Sequence, residues 1–299
     1  MSRINATELF CVPAGKKVNL TDYDSAWTPD WAKAESDKKA LKQQVLDILK
    51  ENKKTLAKVQ ELFWASGAYS MLVILQGMDA AGKDGVISHV MSGVNPQGCQ
   101  VFGFKTPTEE ELNHNFLWRY MEALPARGRI GIFNRSYYED VLIVKVRPEL
   151  LDRQKLPPGK RDDSFWMQRY EDINALEHHL VRNGTIILKF FLNISKEKQR
   201  HRLIKRLEDP EKYWKFSFTD LTERTKWTEY MKAYEDALNE TSTEWAPWYV
   251  IPADKKWITR ASVSEILTLK IESLNLKYPV LNDEQTKVFK EAKKELEKE

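Results

Sequence analysis

The sequence predicts an α/β protein with a mostly parallel sheet, and three observations carry that expectation. Short apolar, partly β-branched runs alternate with segments of helical period, the order that makes parallel strands covered by helices on both faces. One apolar run ends in a glycine-rich turn that opens a helix. No solenoid repeat or low-complexity tract competes with this pattern.

The 299 residues suffice for one large α/β domain with appendages or for two small domains. Hydrophobic residues at 42% and charged residues at 30% fit a soluble globular chain. Net charge is only +3, from 47 basic and 44 acidic residues, which argues against a nucleic-acid binder and requires any anion site to come from local clustering. The two cysteines, Cys11 and Cys99, imply no disulfide framework or metal-ligand spacing. The first residues lack the apolar core of a signal peptide, and no run approaches the roughly 20 apolar residues of a membrane span. A cytoplasmic protein without membrane contact is expected.

Taken in order, residues 1–33 read as an irregular arm, broken by Pro13, Gly15, Pro29 and turn-prone Asp22, Asp24 and Asp30. From Lys33 to Trp64, Leu41, Val45, Leu49, Leu56, Val59 and Phe63 recur at helical steps. Residues 71–76 form a buried strand, and a helix follows from Lys83 to Ser92. Residues 99–104 form a second strand, and the capping box at Thr108 opens a helix through Ala123. Residues 129–133 and 185–192 are further strands, with a helix at 164–181 between them. Ser195 caps a helix to Glu208, a short strand spans 248–251, and a last helix spans 258–274. The division expected is an arm and helix at 1–65, a core domain at 66–280 and a charged, solvated tail at 281–299.

The chemistry begins at Gly77-Met78-Asp79-Ala80-Ala81-Gly82-Lys83-Asp84, a G-x-x-x-x-G-K turn between strand and helix. Glycines let the loop wrap closely so that backbone N–H groups point at an anion, and the helix dipole adds to them. Lys83 can reach terminal phosphates as a point charge. A tight turn with a solvated lysine is the plain alternative. Asp84 stands where a Ser or Thr usually ligates Mg²⁺, so a substitute oxygen is expected, and Asp79 is a hard carboxylate suited to it. Its plain alternative is a turn residue capping N–H groups. Ligands of open α/β sheets bind beyond the carboxyl ends of the strands. The strand at 129–133 runs into Asn134-Arg135-Ser136-Tyr137-Tyr138-Glu139-Asp140, which puts Asn134 and Arg135 at that crevice.

These two motifs, with the later D-P-E-K-Y-W-K-F and T-E-W-A-P-W-Y-V-I-P-A-D-K-K-W, resemble the polyphosphate kinase 2 family over residues 30–275. The resemblance implies a three-layer, thymidylate-kinase-like P-loop kinase fold with a helical lid, and Mg²⁺-dependent, reversible transfer between inorganic polyphosphate and nucleotides. Mn²⁺ would substitute, and a homo-oligomer is implied, with the N-terminal arm as one contact. By position, Asp79 (metal), Lys83 and Arg135 are the catalytic residues, and Gly77, Ala80, Ala81, Gly82, Asp84, Asn134 and Glu139 bind phosphate or nucleotide. Asn134 stands where many members have Asp. With Glu139 it resembles the subgroup accepting nucleoside mono- and diphosphates, so AMP and ADP, with GMP and GDP beside them, are the expected acceptors.

The acceptor would be a phosphate oxygen, already largely ionised with a second pKa of about 6, so the reaction needs charge neutralisation more than a general base. Arg200, Arg202, Lys205, Arg206, Lys212 and Lys215 form a basic run that suits a lid at about 200–220, closing over phosphates and excluding water. Arg127, Arg129, Arg169 and Arg182 are weaker candidates for an extended phosphate track. His178 and His179 read as helix-surface residues, and Trp214, Trp227, Trp245, Trp248 and Trp257 mostly as core. Two rivals remain: an ATP-dependent nucleotide kinase on the same fold, and a non-catalytic nucleotide- or nucleic-acid-binding module.

Overall fold

A computed structural model describes residues 3–29 and 38–299. Five strands form one parallel sheet: β1 (Ser70–Gln76), β2 (Cys99–Gly103), β3 (Ile130–Asn134), β4 (Thr185–Asn193) and β5 (Trp248–Pro252). Their spatial order is β2-β3-β1-β4-β5, so β1 is central and the chain leaves it first to one side and later to the other. Every β1 residue is buried, as its continuous apolar run requires, whereas edge strand β2 stays partly exposed. The register sets Leu75 beside Asn134 and Gln76 beside Phe191, which brings the ends of β1, β3 and β4 to one rim.

Helices Lys38–Ser66, Lys83–Val90 and Lys256–Glu272 pack together on one face, and Asp163–Arg182 and Trp227–Thr241 on the other. In the first of these the buried residues Leu41, Val45, Leu49, Leu56 and Phe63 are those the periodicity selects. The predicted start of that helix at Lys33, and Asp30, lie outside the described residues. Asp283–Leu296 is the solvated tail helix, with no buried residue.

The structure departs from expectation in two places and adds detail in others. The helix expected from Thr108 to Ala123 keeps its capping box but breaks into Glu109–Leu112 and Trp118–Met121. Asn115 is the cause: its side chain accepts the Leu117 N–H at 3.0 Å and so competes with helix continuation. The described part of the irregular arm packs on the core. Ile4, Ala6, Phe10 and Val12 are buried in the main core, and Glu265 accepts the Ile4 and Ala6 N–H groups at 2.9 and 3.0 Å. Helix Lys38–Ser66 lies along Lys256–Glu272. Finally, Trp214 and Trp245 are exposed rather than core, while Trp248 is buried.

Candidate active site

The glycine-rich loop turns at the rim where β1 ends. Gly77 has φ +148°, and a Cβ there would stand 2.9 Å from the Leu192 carbonyl oxygen, so the loop can cross β4 only with glycine. Gly82, at φ +113°, makes the turn into helix Lys83–Val90. Lys83 donates from Nζ to the Gly77 carbonyl at 2.5 Å and the Met78 carbonyl at 3.4 Å. Burial, and then the neighbouring Arg135 charge, pull its ammonium below the ordinary lysine value.

Two non-glycine residues at the site hold left-handed backbone, Ala80 at φ +62° and Arg135 at φ +68°. Such strain costs on the order of 1–3 kcal/mol each and persists only where the surroundings over-determine it. Arg135 directly follows β3 and donates its N–H to Leu75 O at 3.1 Å. Its guanidinium donates to Asp79 Oδ1 at 2.8 Å and lies 3.7 Å from Glu139 Oε2. Gln76, with its amide turned so that both ends are satisfied, donates to Glu139 Oε1 at 2.9 Å. Asn134 donates to Asp84 Oδ1 at 2.9 Å, and Lys215 stands 3.5 Å from Asp84 Oδ2. Although partial burial opposes it, the Asn134 hydrogen bond and the Lys215 charge hold Asp84 below the ordinary carboxylate range. Asp84 thus ties β3 and the following basic segment to the loop.

Three clefts open on this centre. A cleft of about 400 Å³ runs over the loop and is strongly basic, lined by Lys83, Lys205, Arg206, Lys212, Lys256 and Arg260 among others. A second, of about 670 Å³, shares Asp79, Asn134 and Arg135 with it and carries Glu139, Asp220 and Glu223. The third, of about 360 Å³, also meets Arg135 and Glu139. It pairs an apolar lining (Phe104, Leu112, Ile143, Leu150) with Arg119, Arg147 and Arg153. The Arg119 guanidinium stacks over the Phe104 and Tyr120 rings, 5.2 Å from each centroid. Arg135 therefore sits where a basic trough meets a mainly apolar pocket whose rim carries arginines and carboxylates together.

The described residues contain no group of three or more His, Cys, Asp or Glu side chains arranged to hold a metal. A Mg²⁺-class ion does not need one, since it takes one or two carboxylates plus phosphate oxygens and water. Asp79 is placed for that. Asp220, on the wall of the same cleft, is pushed up to about 6 by burial and then by the Asp79 charge, a crowding of carboxylates that a cation would relieve. The donor set fits a phosphate-bridged divalent ion.

The structure brings Asp79, Lys83, Asp84, Asn134, Arg135 and Glu139 together with Lys205, Arg206, Lys212 and Lys215 around these clefts. Lys212 pairs with Asp209, and Arg206 with Asp220 at 3.2 Å and the Lys215 carbonyl at 3.2 Å. Two of the basic-run residues have their guanidinium groups engaged by the protein itself. Arg200 points away and pairs with Glu197 at 2.6 Å on the surface. Arg202 lies under the loop, with Nη1 donating to Ala80 O and Ala81 O at 2.9 and 2.7 Å and Nη2 to Ala253 O and Asp254 O at 2.5 and 3.2 Å. Its guanidinium fixes loop carbonyls while the residue also lines the basic cleft. Arg202→Met should therefore lower unfolding free energy by about 3 kcal/mol, as for several buried carbonyls left unpaired. Urea unfolding measures this. An unchanged midpoint with weakened polyphosphate binding would restore the phosphate-binding role.

Of the weaker candidates, Arg127 caps the Ala68 and Asn183 carbonyls, and Arg129 and Arg182 border the same amino-terminal end of the sheet. That end lies about 20 Å from the loop, the length of β1. Arg169 is buried, donating to the Asp140 carbonyl at 3.0 Å and Gln154 Oε1 at 2.5 Å. His178 stacks on Trp245 at 4.5 Å, as a helix-surface residue would. Lys256 and Arg260 were not expected at the site. Their sequence signals are a lysine pair just after β5 at the carboxyl rim, inside the A-D-K-K-W end of the motif quoted above, and an arginine one helical turn later.

The model of the family described as polyphosphate kinase 2 matches residues 35–279. An ADP-polyphosphate phosphotransferase of Rhodopseudomonas palustris is 50% identical over 274 residues, covering 91% of this chain and 92% of its own. An AMP/ADP-polyphosphate phosphotransferase of Meiothermus ruber is 49% identical over 238 residues, covering 80% and 85%. The crystal structure of polyphosphate kinase 2 from Arthrobacter aurescens superposes with a TM-score of 0.82 at 41% identity, over 93% of this chain and 92% of the other.

Proposed function

The chain belongs to the polyphosphate kinase 2 family, and on that premise we propose that it transfers phosphoryl groups reversibly between inorganic polyphosphate and AMP or ADP. One observation carries the reading: the basic trough, which holds Asp79 and Lys83, and the apolar, arginine-bearing pocket meet at Arg135. The trough suits an extended polyanion without bases. The pocket suits a nucleoside, with its arginines for the phosphate nearest the sugar. GMP and GDP are further acceptors of the same shape.

In this reading the loop N–H groups cradle the transferring phosphoryl group. Lys83 leaves the Gly77 carbonyl for its oxygens, and Arg135 neutralises charge between donor and acceptor. The acceptor oxygen is already anionic, so no side chain need take a proton. Mg²⁺, or Mn²⁺ in its place, held by Asp79 and phosphate oxygens, would supply further neutralisation. Lys205, Arg206, Lys212 and Lys215 on the basic lid hold the chain and exclude water, which favours transfer over hydrolysis. The proposal includes a cytosolic setting and a homo-oligomer. Among the described residues both cysteines are free thiols and no helix is long and apolar enough to cross a membrane. The N-terminal arm packs on its own chain, so its buried residues are unavailable as a subunit contact.

The test is to mix the protein with Mg²⁺, long-chain polyphosphate and either ADP or AMP and to measure ATP. ATP from both acceptors is expected. ATP formed only from another nucleoside triphosphate would favour the ATP-dependent kinase. A second expectation concerns the acceptor. Asn134→Asp places a second carboxylate 2.9 Å from Asp84 beside Asp79, and should change the ratio of AMP to ADP turnover about tenfold, a 1.4 kcal/mol difference. An unchanged ratio would remove Asn134 from acceptor choice.

A further inference from the structure

Arg135 is strained, yet its guanidinium must meet Asp79 and Glu139 at once. What holds it lies behind the site. Ser136, Tyr137 and Tyr138, the next three residues, are fully buried, and neither tyrosine lines any of the three clefts. Both hydroxyls donate to one oxygen, Glu177 Oε1, at 2.9 Å each. The other Glu177 oxygen accepts from Lys189 Nζ at 2.6 Å. Lys189 also donates to Tyr138 Oη at 3.1 Å and to the Thr241 carbonyl at the end of helix Trp227–Thr241, at 2.7 Å. Trp248 completes the unit, donating to Thr241 Oγ1 at 2.9 Å and crossing the Tyr138 ring edge to face at 4.6 Å.

Glu177 and Lys189 have no exposed surface. A buried ion pair is a poor way to gain stability, because well-packed apolar residues of the same volume do as well or better. It is a good way to fix geometry, because every donor and acceptor in it has one satisfactory partner. Here the unit joins β4, helix Asp163–Arg182, helix Trp227–Thr241 and β5 to the segment that carries Arg135 and Glu139. We propose that the Glu177–Lys189 pair and the hydroxyls of Tyr137 and Tyr138 form a positioning device for Arg135 and Glu139, setting the rate of transfer without touching substrate.

The inference rests on Arg135 serving the reaction, and the experiment separates the two. Tyr137→Phe and Tyr138→Phe each delete one oxygen and keep the ring, and two hydrogen bonds to Glu177 remain in each case. Each is expected to lower kcat about tenfold with the nucleotide KM changed less than twofold, assayed well below its own melting temperature. In the Arg135→Ala background each should lower kcat by no more than about twofold, because only Glu139 is left for them to position. The converse substitutions, Glu177→Gln and Lys189→Met, should move kcat in the same direction in whatever fraction folds. Wild-type kcat in both tyrosine variants, or losses that multiply with that of Arg135→Ala, would overturn the positioning role. Wild-type turnover in Arg135→Ala itself would instead overturn the assignment of Arg135 to transfer.

Discussion

Lys83→Ala is expected to lower kcat/KM for phosphoryl transfer about a thousandfold, equivalent to ~4 kcal/mol of lost transition-state stabilisation. The size follows from what Lys83 would do and what surrounds it. Its ammonium is the one cation on the loop itself, and it is partly desolvated beside Arg135. In this structure it donates to the Gly77 and Met78 carbonyls, an arrangement that restrains the loop and parks the charge where phosphate would draw it away. Removing it takes away a charge that acts most strongly where the transferring group carries most negative charge. The fold should tolerate the change, since Lys83 is the first residue of its helix and lines a cleft instead of the core. Initial rates with polyphosphate and ADP, beside a thermal melt, decide this. Turnover within a few-fold of wild type would remove Lys83 from the chemistry.

Asp79→Ala should lower kcat by about two to three orders of magnitude and change the magnesium dependence. Asp79 accepts a hydrogen bond from Arg135 and faces the cleft shared with Asp220, so its loss would both leave the guanidinium with Glu139 alone and remove the carboxylate proposed to hold the metal. Asp79→Asn separates these effects. Its amide oxygen can still accept from Arg135, but it carries no charge. If ligation matters most, Asn should be nearly as damaging as Ala, with activity partly recovered at high Mg²⁺. If pairing with Arg135 matters most, Asn should restore most of the rate. An Ala variant with normal turnover and an unaltered magnesium titration would contradict both.

The parts of this site that could be read from the chain are those in which neighbours in sequence are neighbours in space. The loop is one such part, because Gly77, Gly82 and Lys83 act through local backbone, and the Asn134–Asp140 segment is another, because it leaves a strand directly at the rim. Alternation of apolar runs and helices was enough for a parallel sheet, yet strand order was out of reach, since nothing local says that β1 lies between β3 and β4. For Arg202, helical spacing shows only that it shares a face with Arg206. It cannot show that the face packs against loop carbonyls. Lys256 and Arg260, far along the chain, join the trough only because β5 ends beside β4. The Glu177–Lys189 pair was invisible for a related reason. In sequence it is one glutamate on an amphipathic helix and one lysine in an apolar strand, and only the tertiary fold makes them partners.

The reading depends most on the loop from Gly77 to Lys83 taking phosphate. The direct measurement is a crystal structure of the protein grown with Mg²⁺ and polyphosphate. Phosphate density within hydrogen-bonding distance of the loop N–H groups, contacted by Lys83 and continuing along Lys205, Lys256 and Arg260, is the predicted result. An empty loop, with the chain bound elsewhere on the molecule, would contradict it.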